Sequence, residues 1–248
     1  MSIEVAETRI AETIRDDDTV LNLGGLGLSE LPTSIADSKV EHLILDENKL
    51  ATLPESLGQI STLRSVSLCN NQFWHFPDVI FKYKHLVKLD MGKNRLSDIP
   101  ERIGELAALE VLYLYDNQLT TLPGSLRQLS KLVRLGLDNN QFSEIPASVT
   151  VLSKLVFLEM NHNQITSVPK QITNMQWLQN LKLGDNALQT LPDFLIELAH
   201  LSVVDVSNNP LTTIPDCLNE KEDLDIREEV QEDILSWAEG DFFNDEDE

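Results

Sequence analysis

The chain has 248 residues, of which 41 are acidic and 19 are basic, and its formal net charge at pH 7 is −22. Because binding to phosphate groups requires clustered lysine and arginine, this charge argues against nucleic acid or an anionic membrane surface as a partner. Hydrophobic residues make up 42% of the chain, which is enough for a folded core and argues against a disordered protein.

Three further features indicate where the protein works. The two cysteines, Cys69 and Cys217, are too few for a disulfide framework. No apolar stretch approaches the roughly 20 residues that a membrane span needs. The first residues lack the basic and apolar regions of a secretory signal. We therefore expect a cytoplasmic protein with reduced thiols.

Residues 2–16 predict an amphipathic helix. Charged residues surround a single apolar stripe, and Ser2 occupies the expected N-cap position. The stripe consists of Ile3, Ala6, Ile10 and Ile14.

The next part of the chain is organised by its prolines. Nine of the ten prolines recur with a first interval of 22 residues and seven further intervals of 23. They are Pro32, Pro54, Pro77, Pro100, Pro123, Pro146, Pro169, Pro192 and Pro215. In eight cases an asparagine lies six residues earlier, and the first repeat has Leu26 there. These are Asn48, Asn71, Asn94, Asn117, Asn140, Asn163, Asn186 and Asn209. A fixed period of this size is typical of a solenoid.

Around these asparagines the chain reads L-x-x-L-x-L-x-x-N-x-L-x-x-L-P. The segment Leu112–Leu114 alternates with period two, which predicts a short strand with both leucines inward and Tyr113 outward. The asparagine can pair backbone groups of adjacent turns that would otherwise be buried without partners. Proline then fixes an extended backbone towards the opposite side. We therefore assign the Asn, Pro and Leu positions structural roles and expect none of them to be catalytic.

The repeats resemble the leucine-rich repeat family over about residues 18–215. The 23-residue unit is similar to the intracellular Ras-group (Ras-suppressor-like) class, which also occurs in bacteria. This resemblance implies an α/β fold, a right-handed horseshoe of nine repeats with a parallel sheet on its concave face. Helical caps are expected at both ends. The family attaches catalytic domains to such repeats, but only about 33 residues follow the last repeat, too few for one.

Four segments are expected. Residues 1–17 form an N-terminal capping helix, 18–215 the nine repeats, 216–238 a C-terminal cap and 239–248 an acidic tail. In the cap, Leu218 and Leu224 continue the convex pattern, and a helical stripe follows. The stripe consists of Ile226, Val230, Ile234 and Trp237. The tail, which contains Phe242 and Phe243, either keeps the protein soluble or docks on a basic partner.

The outward strand positions form three columns on the concave face, which we predict to bind a protein. A cluster of Tyr, Phe and Arg with mixed charge is the composition of a protein-binding hot spot. The predicted site consists of Tyr113, Tyr115, Arg134, Phe157, Glu159, Asp138, Lys88 and Asp90. The alternative is that the aromatic rings merely stack on each other across the sheet.

Other aromatic residues and chemistry-bearing groups give weaker signals. Trp74 and His75 are expected on the rim, and Trp177 is expected to pack on the convex side. His162 lies near Asp138 and Asp185, but no nucleophile or metal pattern accompanies them. No zinc, phosphate-loop or nucleophile-elbow motif occurs, so we expect no catalytic residue, metal or cofactor.

Two functions of different kinds follow. The first is a monomeric, non-enzymatic interaction module or scaffold that binds a partner protein on its concave face, with intracellular signal transduction as its expected setting. The second is an inhibitor, immunity protein or delivered effector that acts through its acidic surface on a basic partner. The first depends on the concave aromatic residues, and the second on the tail and on low ionic strength.

Overall fold

A computed structural model describes residues 2–228, and the described chain forms one parallel sheet of ten short strands. The strands lie side by side in chain order, as a solenoid requires. They are β1 (Val20–Asn22), β2 (His42–Ile44), β3 (Ser65–Ser67), β4 (Lys88–Asp90), β5 (Val111–Tyr113), β6 (Arg134–Gly136), β7 (Phe157–Glu159), β8 (Asn180–Lys182), β9 (Val203–Asp205) and β10 (Asp225–Arg227). The leucine-rich-repeat architecture expected from the sequence is thus confirmed as a parallel solenoid.

The core lies directly behind the sheet. Each of β1 to β9 has a buried aliphatic residue at its centre, and Leu112 of β5 and Leu114 just after it are both 0% exposed. Tyr113 between them is half-buried on the outer face, as the period-two alternation predicts.

Short 3₁₀ helices line the convex side, and each begins directly after one of the periodic prolines. They span Thr33–Asp37, Glu55–Gln59, Asp78–Lys82, Glu101–Glu105, Gly124–Gln128, Lys170–Asn174 and Asp193–Glu197. The prolines are extended, for example Pro123 with φ −66° and ψ 153°. Each proline carbonyl then accepts the N–H of a buried aliphatic residue three positions on, as in the bond from Leu126 to Pro123. The proline thus marks the change from extended to helical backbone.

The periodic asparagines form a ladder inside the solenoid, as predicted. Asn117 Oδ1 accepts the Leu96 N–H of the preceding repeat at 2.9 Å. Its Nδ2 lies 3.0 Å from the Met91 carbonyl of the preceding repeat and 3.0 Å from the Leu114 carbonyl of its own. The same bonds recur at all eight asparagines. Each side chain therefore joins two neighbouring turns of the solenoid.

A left-handed turn precedes each of these asparagines, which the sequence analysis did not anticipate. The eight turn residues have φ between 51° and 56°. They are Glu47, Asn70, Lys93, Asp116, Asn139, His162, Asp185 and Asn208. In the first repeat Gly25 takes this place with φ 70°. Five of the eight are Asn or Asp, the non-glycine residues that adopt this conformation most readily.

The N-terminal helix α1 (Ser2–Asp16) packs against β1 and the first 3₁₀ helix. Its buried stripe differs from the expected one. Ala6 and Ile10 are buried together with Thr13, whereas Ile3 and Ile14 are 37% and 41% exposed. The helix rests on the first repeat along a narrow line, so the two outer isoleucines lie beside the contact rather than within it.

The C-terminal end differs more from the prediction. A four-residue helix α2 (Asp216–Asn219) follows Pro215, and the chain then adds β10 as a tenth strand. Ile226, which we expected on a helical stripe, lies in β10 and pairs with Val204. This strand lacks the consensus asparagine and proline, so the repeat pattern could not reveal it. Val230, Ile234, Trp237 and the acidic tail lie outside the described residues.

We predict that Asn117→Ala lowers the free energy of unfolding by about 1–3 kcal/mol, because it leaves buried backbone groups without partners. It should destabilise more than Tyr115→Ala on the outer face. The control is Gln118→Ala, since the Gln118 side chain is exposed. Urea unfolding of the three variants measures the difference. Equal midpoints for Asn117→Ala and Gln118→Ala would contradict the ladder.

Candidate functional site

The strand register brings the predicted site residues onto the concave face in the expected columns. The column of first strand residues contains Lys88, Arg134 and Phe157. Val111 lies in the same column, between Lys88 and Arg134. Asp90, Tyr113 and Glu159 lie in the second column, with Gly136 between the last two. Tyr115 and Asp138 follow just after the strands, where the backbone bonds continue from repeat to repeat. The columns are therefore confirmed, and their use in binding remains a prediction.

The two tyrosines lie over glycines of opposite neighbouring repeats. A Cβ atom on Gly92 would lie 2.5 Å from the Tyr115 ring, and one on Gly136 would lie 2.7 Å from the Tyr113 ring. Tyr115 thus leans towards the N-terminal repeats, where its hydroxyl lies 3.1 Å from Cys69 Sγ. The two tyrosine rings meet edge to face, with centroids 6.2 Å apart. The glycines create the space in which both rings lie flat and half-buried.

Charged side chains complete the centre of the face. The Arg134 guanidinium lies 3.9 Å from the centroid of the Phe157 ring, a close cation–π contact. Glu159 lies between two cations, 3.8 Å from Arg134 and 3.6 Å from Lys182. Lys88 Nζ lies 5.9 Å from the centroid of the Tyr113 ring. Phe157 thus contacts arginine, and the tyrosines contact each other, so the alternative of one stacked aromatic row describes only part of the cluster.

Several concave carboxylates serve the backbone, a role that sequence reasoning missed. Asp46 Oδ1 accepts the N–H of Cys69 at 2.8 Å, and Asp138 Oδ1 accepts that of Asn161 at 2.6 Å. Asp90 accepts the N–H of Gly92 within its own repeat at 2.8 Å. These N–H groups lie just beyond the strands. In these columns an acidic or amide residue neighbours a glycine or another small residue. This sequence pattern could have indicated that the polar side chain bonds to the backbone.

Burial alters the proton affinity of these groups. It raises the pKa of Asp90 to about 7, and the negative charge of Asp46 adds to the increase. Burial likewise raises the pKa of Asp138 to about 7, with a further contribution from the charge of Glu159. The pKa of the Cys69 thiol is raised to about 12 by burial, so this cysteine is a poor nucleophile at neutral pH.

The remaining aromatic residues lie away from the face. Trp74 is 58% exposed on the rim, as expected, and its ring centroid lies 3.9 Å from that of His75. The expectation that Trp177 packs on the convex side was wrong. Trp177 is 56% exposed and stacks on His200 of the next repeat at 4.9 Å. Trp177 and His200 each lie three residues before a strand, and so do Lys131 and Lys154. We call the edge formed by these four residues the entry rim.

No metal-binding cluster of three or more His, Cys, Asp or Glu residues occurs within residues 2–228. His162 Nε2 lies 3.5 Å from Asp185, whereas Asp138 is bonded to the backbone of Asn161. The three residues therefore do not form the small polar site considered from the sequence. In the same described range, no helix has the length and apolar character required to cross a membrane.

Family models support the repeat assignment. A model described as Leucine rich repeat matches residues 61–119 and 84–142, and a second one, Leucine Rich Repeat, matches residues 200–220. The matched segments lie in the central repeats, which contain most of the candidate site, and at the last consensus repeat.

Solved structures show the same architecture. A leucine-rich repeat protein of Leptospira interrogans is 32% identical, with a TM-score of 0.73 over 80% of this chain and 52% of that chain. An internalin (InlF) of Listeria monocytogenes is 25% identical, with a TM-score of 0.72 over 86% and 61%. The ectodomain of the Arabidopsis thaliana receptor kinase GASSHO1/SCHENGEN3, in complex with CASPARIAN STRIP INTEGRITY FACTOR 2, is 29% identical, with a TM-score of 0.70 over 84% and 29%. The chain thus spans about half to three fifths of the length of the first two structures.

We predict that Gly92→Ala costs about 1–3 kcal/mol of stability because its methyl group would overlap the Tyr115 ring. Most of this cost should disappear when Tyr115→Ala is present as well, which a double-mutant cycle measures. Gly124→Ala is the control, since a Cβ there would approach only Glu101, at 4.0 Å. An unchanged cost of Gly92→Ala in the double variant would contradict the seating of the ring.

The raised pKa of Asp90 predicts a specific pH dependence. Between 3.8 and about 7 the folded state binds more protons at Asp90 than the unfolded state, so its contribution to stability falls as pH rises through this window. Asp90→Asn removes this titration and keeps an acceptor for the Gly92 N–H. We expect Asp90→Asn to be more favourable for stability, relative to the parent, at pH 8 than at pH 5.

Urea unfolding at both pH values measures this difference. Asp98→Asn, at an exposed position, is the control for the loss of one negative charge. A difference between Asp90→Asn and the parent that is the same at pH 5 and pH 8 would show that the Asp90 carboxylate is not held in its buried, backbone-bonded position.

Proposed function

We propose that this chain, a leucine-rich-repeat solenoid, is a non-enzymatic protein-binding module that holds a partner protein on its concave face. The contact is centred on the fifth to seventh strands, in or just after which Tyr113, Tyr115, Arg134 and Phe157 lie. Asp90, Asp138, Glu159 and Lys88 surround them. Leucine-rich repeats are generally interaction modules, and the plant ectodomain among the similar structures was solved in complex with CASPARIAN STRIP INTEGRITY FACTOR 2.

The observation that carries this proposal is the arrangement of the aromatic and arginine side chains. Glycines at 92 and 136 seat the tyrosine rings flat, and Arg134 covers Phe157. The side chains are therefore held in place before any partner arrives. Side chains that are already ordered lose less conformational entropy on binding. Tyrosine and arginine are also enriched among the hot-spot residues of protein interfaces.

The repeat class, the cellular role, the location and the oligomeric state are proposed from the sequence. The 23-residue unit favours the Ras-suppressor-like class and a role in intracellular signal transduction. The cytoplasm fits the two free cysteines, Cys69 and Cys217, which lie about six repeats apart. We expect the module to act as a monomer.

The alternative function, an inhibitor, immunity protein or delivered effector, depends on the acidic surface and above all on residues 239–248. That segment lies outside the described residues. A bait that lacks it separates the two functions directly.

Affinity capture from lysate of the source cells tests the proposal. We expect the whole chain to retain a partner, and the Tyr115→Glu, Phe157→Glu variant to lose it, because the charges disrupt the aromatic contact surface. The matched control is Lys131→Glu, Lys154→Glu on the entry rim, which should retain the partner. Thermal unfolding confirms that each bait is folded.

A chain that ends at residue 238 completes the set of baits. Retention by this bait supports the concave face. A partner that is lost only from this bait, and that moderate salt releases from the whole chain, would contradict the proposal and favour the acidic-surface alternative.

A further inference from the structure

The entry rim differs in charge from the rest of the chain. Its four residues hold the same position in four successive repeats, and the residues one before and two after each of them contain no acid. These neighbours, all exposed or half-buried, are Ser130, Val133, Ser153, Val156, Gln176, Gln179, Ala199 and Ser202. Glu110 and Asp223 border the patch in the preceding and following repeats. A patch without acids is distinctive in a chain that has 41 of them.

The two rim lysines are not neutralised by contact. Within residues 2–228, no carboxylate forms an ion pair with the exposed side chain of Lys131 or Lys154. At the same edge of an earlier repeat, by contrast, Lys84 pairs with Glu105 at 2.7 Å. The entry rim therefore offers two positive charges to an acidic ligand.

Trp177 adds a flat apolar surface next to these charges. Its ring stacks on the His200 ring with centroids 4.9 Å apart and planes 6° apart, yet the residue is 56% exposed. His200 belongs to the following repeat, so it covers the face of the indole on that side. The opposite face is directed towards the preceding repeat, where Lys154 holds the equivalent position. An aromatic side chain of a ligand can pack on this open face.

Tight turns hold the rim side chains at a regular spacing. Lys131 lies in a turn between the buried residues Leu129 and Leu132, and the Leu132 N–H donates to the Leu129 carbonyl at 3.0 Å. The equivalent bonds join Leu155 to Leu152, Leu178 to Met175 and Leu201 to Leu198, at 2.9 to 3.2 Å. Neighbouring repeats are about 4.8 Å apart, so Lys131 and Trp177 are separated by about 10 Å. Three residues of an extended peptide span about this distance.

A peptide with carboxylates beside an aromatic residue matches this arrangement. Its ring can pack on Trp177, and its carboxylates are then within reach of Lys154 and Lys131. Single-stranded nucleic acid fits less well, because it requires a cationic groove along its backbone and several stacking platforms. The rim has two lysines and one open indole face.

We propose that the entry rim is a second binding surface, which takes an acidic peptide segment with an aromatic side chain from another protein. The aromatic side chain packs on Trp177, and the carboxylates pair with Lys131 and Lys154. The inference goes beyond the proposed function and does not rest on it, because the concave face offers different side chains.

Fluorescence anisotropy of labelled synthetic peptides tests the inference with the whole chain. The probe has the repeating sequence Glu-Asp-Phe. One matched peptide, with Gln-Asn-Phe, lacks the charges, and the other, with Glu-Asp-Ser, lacks the rings. We expect the probe to bind about ten-fold more tightly than either matched peptide, and its affinity to fall as salt is added.

Variants of the rim locate the bound probe. We expect the Lys131→Glu, Lys154→Glu variant to bind it about ten-fold more weakly, and Trp177→Ala to do the same. Lys39→Glu, Lys49→Glu is the charge control, since both lysines are exposed at other repeats.

Two further controls test the ring and the concave face. Trp74→Ala removes an indole that is 58% exposed elsewhere, and Tyr115→Ala, Phe157→Ala alters the candidate concave site. Both variants should bind the probe like the parent. Thermal unfolding confirms that every variant is folded.

Five results would overturn the inference. They are no binding of the probe, equal binding of the three peptides, an equal loss in the Lys39→Glu, Lys49→Glu control, a loss only in the Tyr115→Ala, Phe157→Ala variant, and tighter binding of single-stranded oligothymidylate than of the probe. The last result would assign the rim to nucleic acid. The proposed function is read separately, from partner capture by the concave variant, so either can fail while the other holds.

Discussion

The ladder of buried asparagines is the interaction on which the rest of the structure depends. Strands of three residues cannot form a stable sheet alone, and each turn buries backbone groups at the point where the strand ends. An asparagine pairs these groups because it offers an acceptor and two donors at once. Asn117 does so between two repeats, with one bond to Leu96 and another to Met91. A residue in the left-handed conformation precedes each of these asparagines.

A regular concave face is the structural consequence. Once each repeat is fixed against the next, the outward side chains form straight columns with constant spacing. A second set of bonds, from Asp46 and Asp138 to the next repeat, stabilises the face itself. Some residues that resemble binding groups are therefore structural. The tyrosines, Phe157 and Arg134 form the centre of the contact that we propose.

The sequence predicted the leucine-rich-repeat solenoid, because the repeat is dictated by local backbone requirements that recur at a fixed interval. It placed the concave columns and the asparagine ladder correctly. It failed where the repeat pattern ends. Ile226 lies in a strand without consensus residues, and Ile14 lies beside the helix contact instead of in it. Trp177 stacks on His200 of the next repeat. The residue pattern within a single repeat does not contain this contact.

The sequence placed the candidate residues in their columns, but it could not predict how their side chains are arranged. Residue type and column position indicated Tyr113, Tyr115 and Phe157. Pairing depends on rotamers and on the space that glycines leave in adjacent repeats, which a one-dimensional pattern does not contain. The same limitation hid the role of Asp90, whose carboxylate turns towards Gly92.

The most direct test of the account is backbone hydrogen exchange of the full chain with and without a captured partner. We predict that the partner slows exchange in the segments that follow β4 to β7, near residues 90–92, 113–116, 136–139 and 159–162. The convex 3₁₀ helices should keep their exchange rates. Protection confined to the convex helices or the entry rim would contradict the concave face as the binding surface.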